Sequence, residues 1–150
     1  FIVAAPKGVV DQGGDIMAQL KGLPLIQYTQ RHYMGRLLTA HLIRQNLSLP
    51  HRFEIDSYHA ILALVGQGEG WSILTPLALM RGQRFADQID VMALPLEPLS
   101  RTISLIARKE LLQDMPTQVA ATLRPILRRT VLDPAIETYP FLNDHLTIIS

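Results

Sequence analysis

Short apolar runs alternate with segments of helical period along most of the chain, and this alternation constrains the fold more than any other feature. Phe1-Ile-Val-Ala-Ala5, ended by Pro6, predicts a strand covered on both faces. A polar loop with Gly8, Asp11, Gly13 and Gly14 follows, and Asp15 is placed to cap a short helix through Leu20, closed by Gly22. Leu23–Tyr28 predicts a second strand. From Arg31 to Leu47, Met34, Leu37, Leu38 and Leu42 recur at helical spacing while Arg31, Arg36, Arg44 and Gln45 fall elsewhere, which predicts an amphipathic helix. Arg52–Ile55 is a third strand. Asp56 or Ser57 then caps a helix from His59 to about Val65, apolar nearly all round and so expected to be buried. Strands and helices alternating at this spacing imply an α/β fold with a parallel or mixed sheet.

Gly66-Gln-Gly-Glu-Gly70 breaks that helix, and Trp71–Thr75 runs on as a strand. Pro76 opens a short helix through Met80. Ile89–Leu96 and Thr102–Ala107 are two further strands, joined by a segment that Pro95 and Pro98 make stiff. Asp114 and Pro116 announce a helix carrying Val119, Leu123, Ile126 and Leu127 inward and Arg124, Arg128 and Arg129 outward. Pro125 inside that pattern predicts a kink or an early stop. The tail from Thr130 carries no assigned element.

Bulk properties narrow the function classes. The 150 residues are 48% hydrophobic and 18% charged, as in a globular domain with a sizeable apolar interior. Fourteen Lys and Arg stand against thirteen Asp and Glu, and a net charge of +1 gives this stretch no pull on a phosphate backbone. With no cysteine there is no disulfide framework, thiolate metal site or cysteine nucleophile, which fits a cytoplasmic protein. No apolar run approaches the ~20 residues of a membrane span, and FIVAAPKG lacks the pattern of a signal peptide. Because the chain opens directly on a strand, without an initiator methionine, it is expected to begin in mid-fold.

Open α/β sheets bind ligands at the carboxyl ends of their strands, where helix N-termini present unpaired N–H groups and a positive dipole end. Two turns have this form: Tyr28-Thr-Gln-Arg31 and Asp56-Ser-Tyr-His59. A small anion such as a carboxylate suits Thr29, Gln30 and Ser57 with the amides behind them, although Thr29 and Ser57 fit plain N-caps equally well. The 66–70 glycines do not form a dinucleotide fingerprint, because the order here is helix, glycines, strand; a tight turn with positive φ is the expectation. His32, His41, His51, His59 and His145 show no metal-ligand spacing, and neither Ser57 nor Ser72 sits in a nucleophile elbow. No enzyme activity and no cofactor is expected, although Ser57 and His59 with a carboxylate leave an α/β enzyme as one alternative.

The segment Val65-Gly-Gln-Gly68-Glu-Gly70-Trp-Ser-Ile-Leu-Thr-Pro76 resembles the signature "V-x-x-G-x-G, apolar run, Pro" in the effector-binding region of LysR-type transcription regulators. Its neighbours agree in order: Pro24-Leu-Ile26, the Thr29-Gln-Arg31 turn, an amphipathic helix, Asp56-Ser57, then Leu94-Pro-Leu96 and the segment from Arg101 to Lys109. The resemblance covers about residues 1–130. Trp71–Thr75 is one residue longer than the commonest form of the family.

This resemblance implies a fold like that of type 2 periplasmic binding proteins, with two lobes, mixed or parallel sheets and the first lobe incomplete. Residues 1–22 would end the first lobe and cross over, 23–94 would form the second, and 95–130 would return to the first. The tail at 131–150 stays unassigned. It also implies a small-molecule effector bound between lobes, for which the two turns favour an anion, with Thr29 and Gln30 at the pocket, Ser57 and the turn of Gly68 and Gly70 close by, and Arg31 and Tyr58 as weaker candidates. Homodimers or tetramers are implied, with DNA contacted only through an N-terminal helix-turn-helix absent from this chain, and no membrane partner. A solute-binding protein of the same fold is the other alternative.

Overall fold

The computed structural model describes residues 1–108 and 113–149, which form two compact units, Phe1–Ser100 and Arg101–Ser150. In the first, β1 (Ile2–Pro6) is followed by α1 (Ile16–Lys21), β2 (Leu25–Tyr28), α2 (Tyr33–Arg44) and β3 (His51–Ile55). Then come α3 (Tyr58–Gly66), β4 (Ser72–Leu74), α4 (Pro76–Arg81), a 3₁₀ turn at Gln83–Gln88 and β5 (Ile89–Ala93). The capping chemistry expected of Asp15 and Gly22 is in place, with the Ala18 N–H donating to the Asp15 carboxylate at 3.0 Å.

β1 lies between β4 and β5, antiparallel to both, with Ile2 opposite Leu74 and Ala93. β2 and β3 pair in parallel. A parallel bridge from Leu25 to Trp71 and the Ile26 N–H bond to the Trp71 carbonyl (2.8 Å) join the two sheets. The strand order across the join is therefore β3-β2-β4-β1-β5, with β1 alone reversed. All five residues of β1 are buried, as its unbroken apolar run requires of a central strand.

The core of this unit sits between the sheet and α3, which buries Ile61, Leu62 and Val65 completely against β1, β2 and β4. Each such side chain contributes about 1.5–3 kcal/mol of transfer free energy. Trp71 is buried with its indole N–H on the Leu23 carbonyl (3.2 Å), and the buried Ser72 hydroxyl donates to the Ile26 carbonyl at 2.6 Å. Gly70, at φ +153°, takes a conformation rarely open to other residues, and a side chain there would strike the Pro24 carbonyl. The glycine turn is thus needed for β4 to lie against β2.

Differences from the sequence expectations concentrate in the second unit. Its α5 (Met115–Leu127) passes through Pro125 and continues into a π-helical turn, Arg128–Leu132, so the proline neither stops the helix nor ends the pattern. Val119, Leu123, Ile126 and Leu127 were expected inward, yet each is 38–42% exposed. Residues 101–108 form no strand, and Ile103, Leu105 and Ile106 are exposed. The expected strand at Thr102–Ala107 lacks a ladder partner among the described residues, and an apolar alternation without a neighbouring strand has nothing to pair with. Lys109 lies outside the described residues. The tail, unassigned from sequence, forms α6 (Asp133–Thr138) and a 3₁₀ turn at Pro140–Asp144, with Leu132, Ala135 and Leu142 buried.

Two polar groups in the first unit yield tests of its energetics. Burial pushes the Asp90 carboxyl up, but the Gly8 N–H (2.7 Å) and the bond and charge of Lys7 (2.9 Å) together hold it below the usual aspartate value. Its contribution is therefore full above the unfolded aspartate pKa and is lost as pH falls through the folded one. Asp90→Asn should cost about 1–2 kcal/mol in urea unfolding at neutral pH, and the gap to the parent should close as the medium is acidified below the ordinary aspartate range. The buried His41 on α2 has an Nε2 without a hydrogen-bond partner among the described residues. His41→Leu should raise the urea midpoint, by about 1 kcal/mol of stability, because it removes an unsatisfied polar atom.

Candidate functional site

The parallel strands β2, β3 and β4 all point their carboxyl ends to one edge of the sheet. There the chain leaves β2 for α2 and β3 for α3. Tyr28 and Ile55 are in register, and one residue further the Thr29 N–H donates to the Ile55 carbonyl at 3.2 Å. The two turns named from sequence are consequently neighbours. His32 Nε2 and Asp56 Oδ2 approach to 3.6 Å across them, both side chains well exposed.

Thr29 is 8% exposed and lies under the turn, whose Thr29 carbonyl accepts the His32 N–H at 3.2 Å. Gln30 and Arg31 are exposed at its tip, and Ser57 is exposed at the start of α3. Tyr58 is half-buried, with its ring 4.1 Å from that of His59. Gly68 and Gly70 are not with them. They precede Trp71, which pairs with Leu25 at the opposite end of β2, and Glu69 between them is bonded to Arg52 at 2.6 Å. The four residues of β2 separate the glycine turn from Thr29 by roughly 13 Å along the strand.

Within Phe1–Ser100, α2 and α3 begin differently from the other two helices, α1 and α4. Thr29 is not a cap: the N-cap of α2 is His32, which makes no side-chain capping bond. Ser57 is the N-cap of α3 by position, and its hydroxyl makes no capping bond either. By contrast α1 is capped by Asp15, and α4, at the same edge, by Thr75, which accepts from the Ala78 N–H at 3.2 Å. Two helices of twelve and nine residues thus start side by side with first-turn N–H groups that no side chain caps. Such an arrangement presents donors and a positive dipole end to an anion. No group of His, Asp and Glu suited to a metal ion occurs among the described residues.

Two residues that sequence reading left on the helix pattern shape this edge. Gly35, buried in the first turn of α2, has the Thr29 and Tyr28 carbonyls where a Cβ would stand. Arg36, assigned from sequence to the polar face, donates from Nη1 to the Arg31 carbonyl (2.8 Å) and the Gln30 carbonyl (3.4 Å). A lone glycine inside a helical pattern was the available signal for close backbone approach. Gly35→Ala should cost more than the ~1 kcal/mol that separates glycine from alanine in helices, and with opposite sign: urea unfolding should show a loss of stability where propensity alone gives a gain.

No helix among the described residues is long and apolar enough to cross a membrane. No curated protein matches the chain. The LysR substrate binding domain family matches residues 1–146, so most of the tail, residues 131–146, outside the resemblance seen in the sequence, falls within the family's span. That family has the fold of type 2 periplasmic binding proteins, with which this mixed α/β structure of small sheets is consistent, and it is regulatory rather than catalytic. The chain belongs to the LysR substrate-binding domain family, the effector-sensing part of LysR-type transcription regulators.

Proposed function

We propose that the chain senses a small anionic effector, with a carboxylate as the recognised group, at the paired turns that open α2 and α3. The observation that carries this reading is the pair of helix starts, adjacent through the Thr29 to Ile55 bond and free of side-chain caps. An anion there meets two positive dipole ends without displacing a side-chain cap. Thr29, Gln30 and Ser57 supply the nearest polar side chains, and Arg31 and Tyr58 flank them. Gly68 and Gly70 act in this reading through the packing of β4 on β2.

Binding acts on regulation through differential affinity: an effector that favours one conformation of the regulator shifts the population toward it. In a LysR-type regulator of the kind proposed, effector domains associate as dimers or tetramers in the cytoplasm, and DNA is contacted through a helix-turn-helix elsewhere in the protein. The solute-binding alternative shares the same site chemistry and differs in what the bound state is coupled to.

A panel of simple carboxylates from acetate to citrate, with benzoate included, provides the test by thermal shift. At least one should raise the melting temperature, and the Thr29→Ala, Ser57→Ala double variant should abolish the shift. A full shift in the double variant would place the pocket elsewhere.

A further inference from the structure

We infer that Arg36 is a positioning residue for the effector turn: it holds the Gln30 and Arg31 carbonyls and so leaves the Arg31 N–H turned away from it, toward ligand. The inference rests on the effector reading above and adds to it a device in the first turn of α2. The ordinary way to hold the start of a helix is an N-cap side chain, which accepts from the first-turn N–H groups and thereby occupies them. At α2 that route is unused, since His32 makes no capping bond. The turn is instead held from the helix side, by a donor acting on its acceptors.

The geometry is specific. Arg36 Nη1 reaches two successive carbonyls, of Arg31 at 2.8 Å and of Gln30 at 3.4 Å. In a planar trans peptide unit the C=O and the following N–H point in opposite directions. Drawing the Gln30 carbonyl toward Arg36 therefore turns the Arg31 N–H away from it. The Thr29 carbonyl is engaged separately by the His32 N–H, so three consecutive carbonyls, at 29, 30 and 31, are all accounted for.

Gly35 makes the arrangement possible. Only the absence of a side chain lets this part of α2 approach the Tyr28 and Thr29 carbonyls, which brings the next residue, Arg36, within reach of those at 30 and 31. The guanidinium suits the role because its planar set of donors keeps a fixed geometry, which a lysine ammonium does not.

The test separates positioning from folding. Arg36→Met keeps the aliphatic stem and removes the donors. Titrated with the carboxylate of the panel that shifts the parent most, this variant should bind about tenfold more weakly, through lost preorganisation. Its ligand-free melting temperature should stay within ~2 °C of the parent, as for an exposed surface substitution, while amide exchange at residues 29–32 quickens. Arg36→Lys should restore part of the affinity. Unchanged affinity in Arg36→Met, with binding lost in the Thr29→Ala, Ser57→Ala variant, overturns the positioning role and leaves the effector site standing. A ligand-free melting temperature that falls well beyond that ~2 °C shows Arg36 to be structural and overturns it as well. Absence of carboxylate binding by the unsubstituted chain overturns both readings.

Discussion

The parallel register of β2 and β3 governs everything at the candidate site. Tyr28 opposite Ile55, continued by the Thr29 N–H on the Ile55 carbonyl, places two strand ends at the same height, so that two helices must begin next to each other. Parallel pairing needs a crossover between the strands, and α2 supplies it. A slip of one residue would turn Tyr28 and Ile26 outward and separate the turns. Burial of Leu25, Ile26 and Tyr28 holds the register, and so does the seam that Trp71 and Ser72 make along the other side of β2.

Around that pair the structure spends its polar interactions unevenly. α1 and α4 are capped by side chains from their own leading residues, whereas α2 and α3 are not. At α2 the missing cap is offset by Arg36 and by the close fit of Gly35, both acting on carbonyl groups. The result is a pair of adjacent helix starts held without side-chain caps. The glycine turn at 66–70 belongs to a different task, the docking of β4, even though its residues stand closest to the family's signature.

Much of the first unit was legible in its residues. Local chemistry decided the Asp15 cap, the Pro76 helix start, the positive φ of Gly68 and the burial of the 61–65 helix face, because in each case the determining partners are near in sequence. The second unit was legible only in part. The helical period from Met115 to Leu127 is real, but its apolar face is exposed, and the alternation at 102–107 makes no strand. Periodicity reports which side of an element is apolar, and burial additionally requires a surface to receive it.

The sequence alone determined the α/β class, the order of elements in Phe1–Ser100, the family to which the chain belongs and the two turns of the candidate site. Hydrophobic period, caps and glycines act over a few residues and so can be read in one dimension. Only the tertiary structure decided that these turns are neighbours, that Gly68 and Gly70 lie at the other end of β2, and that Gly35 and Arg36 shape the edge. Those facts follow from strand register and from backbone approach between segments. Neither leaves a local mark that distinguishes a spacing or positioning residue from an ordinary residue of a helix.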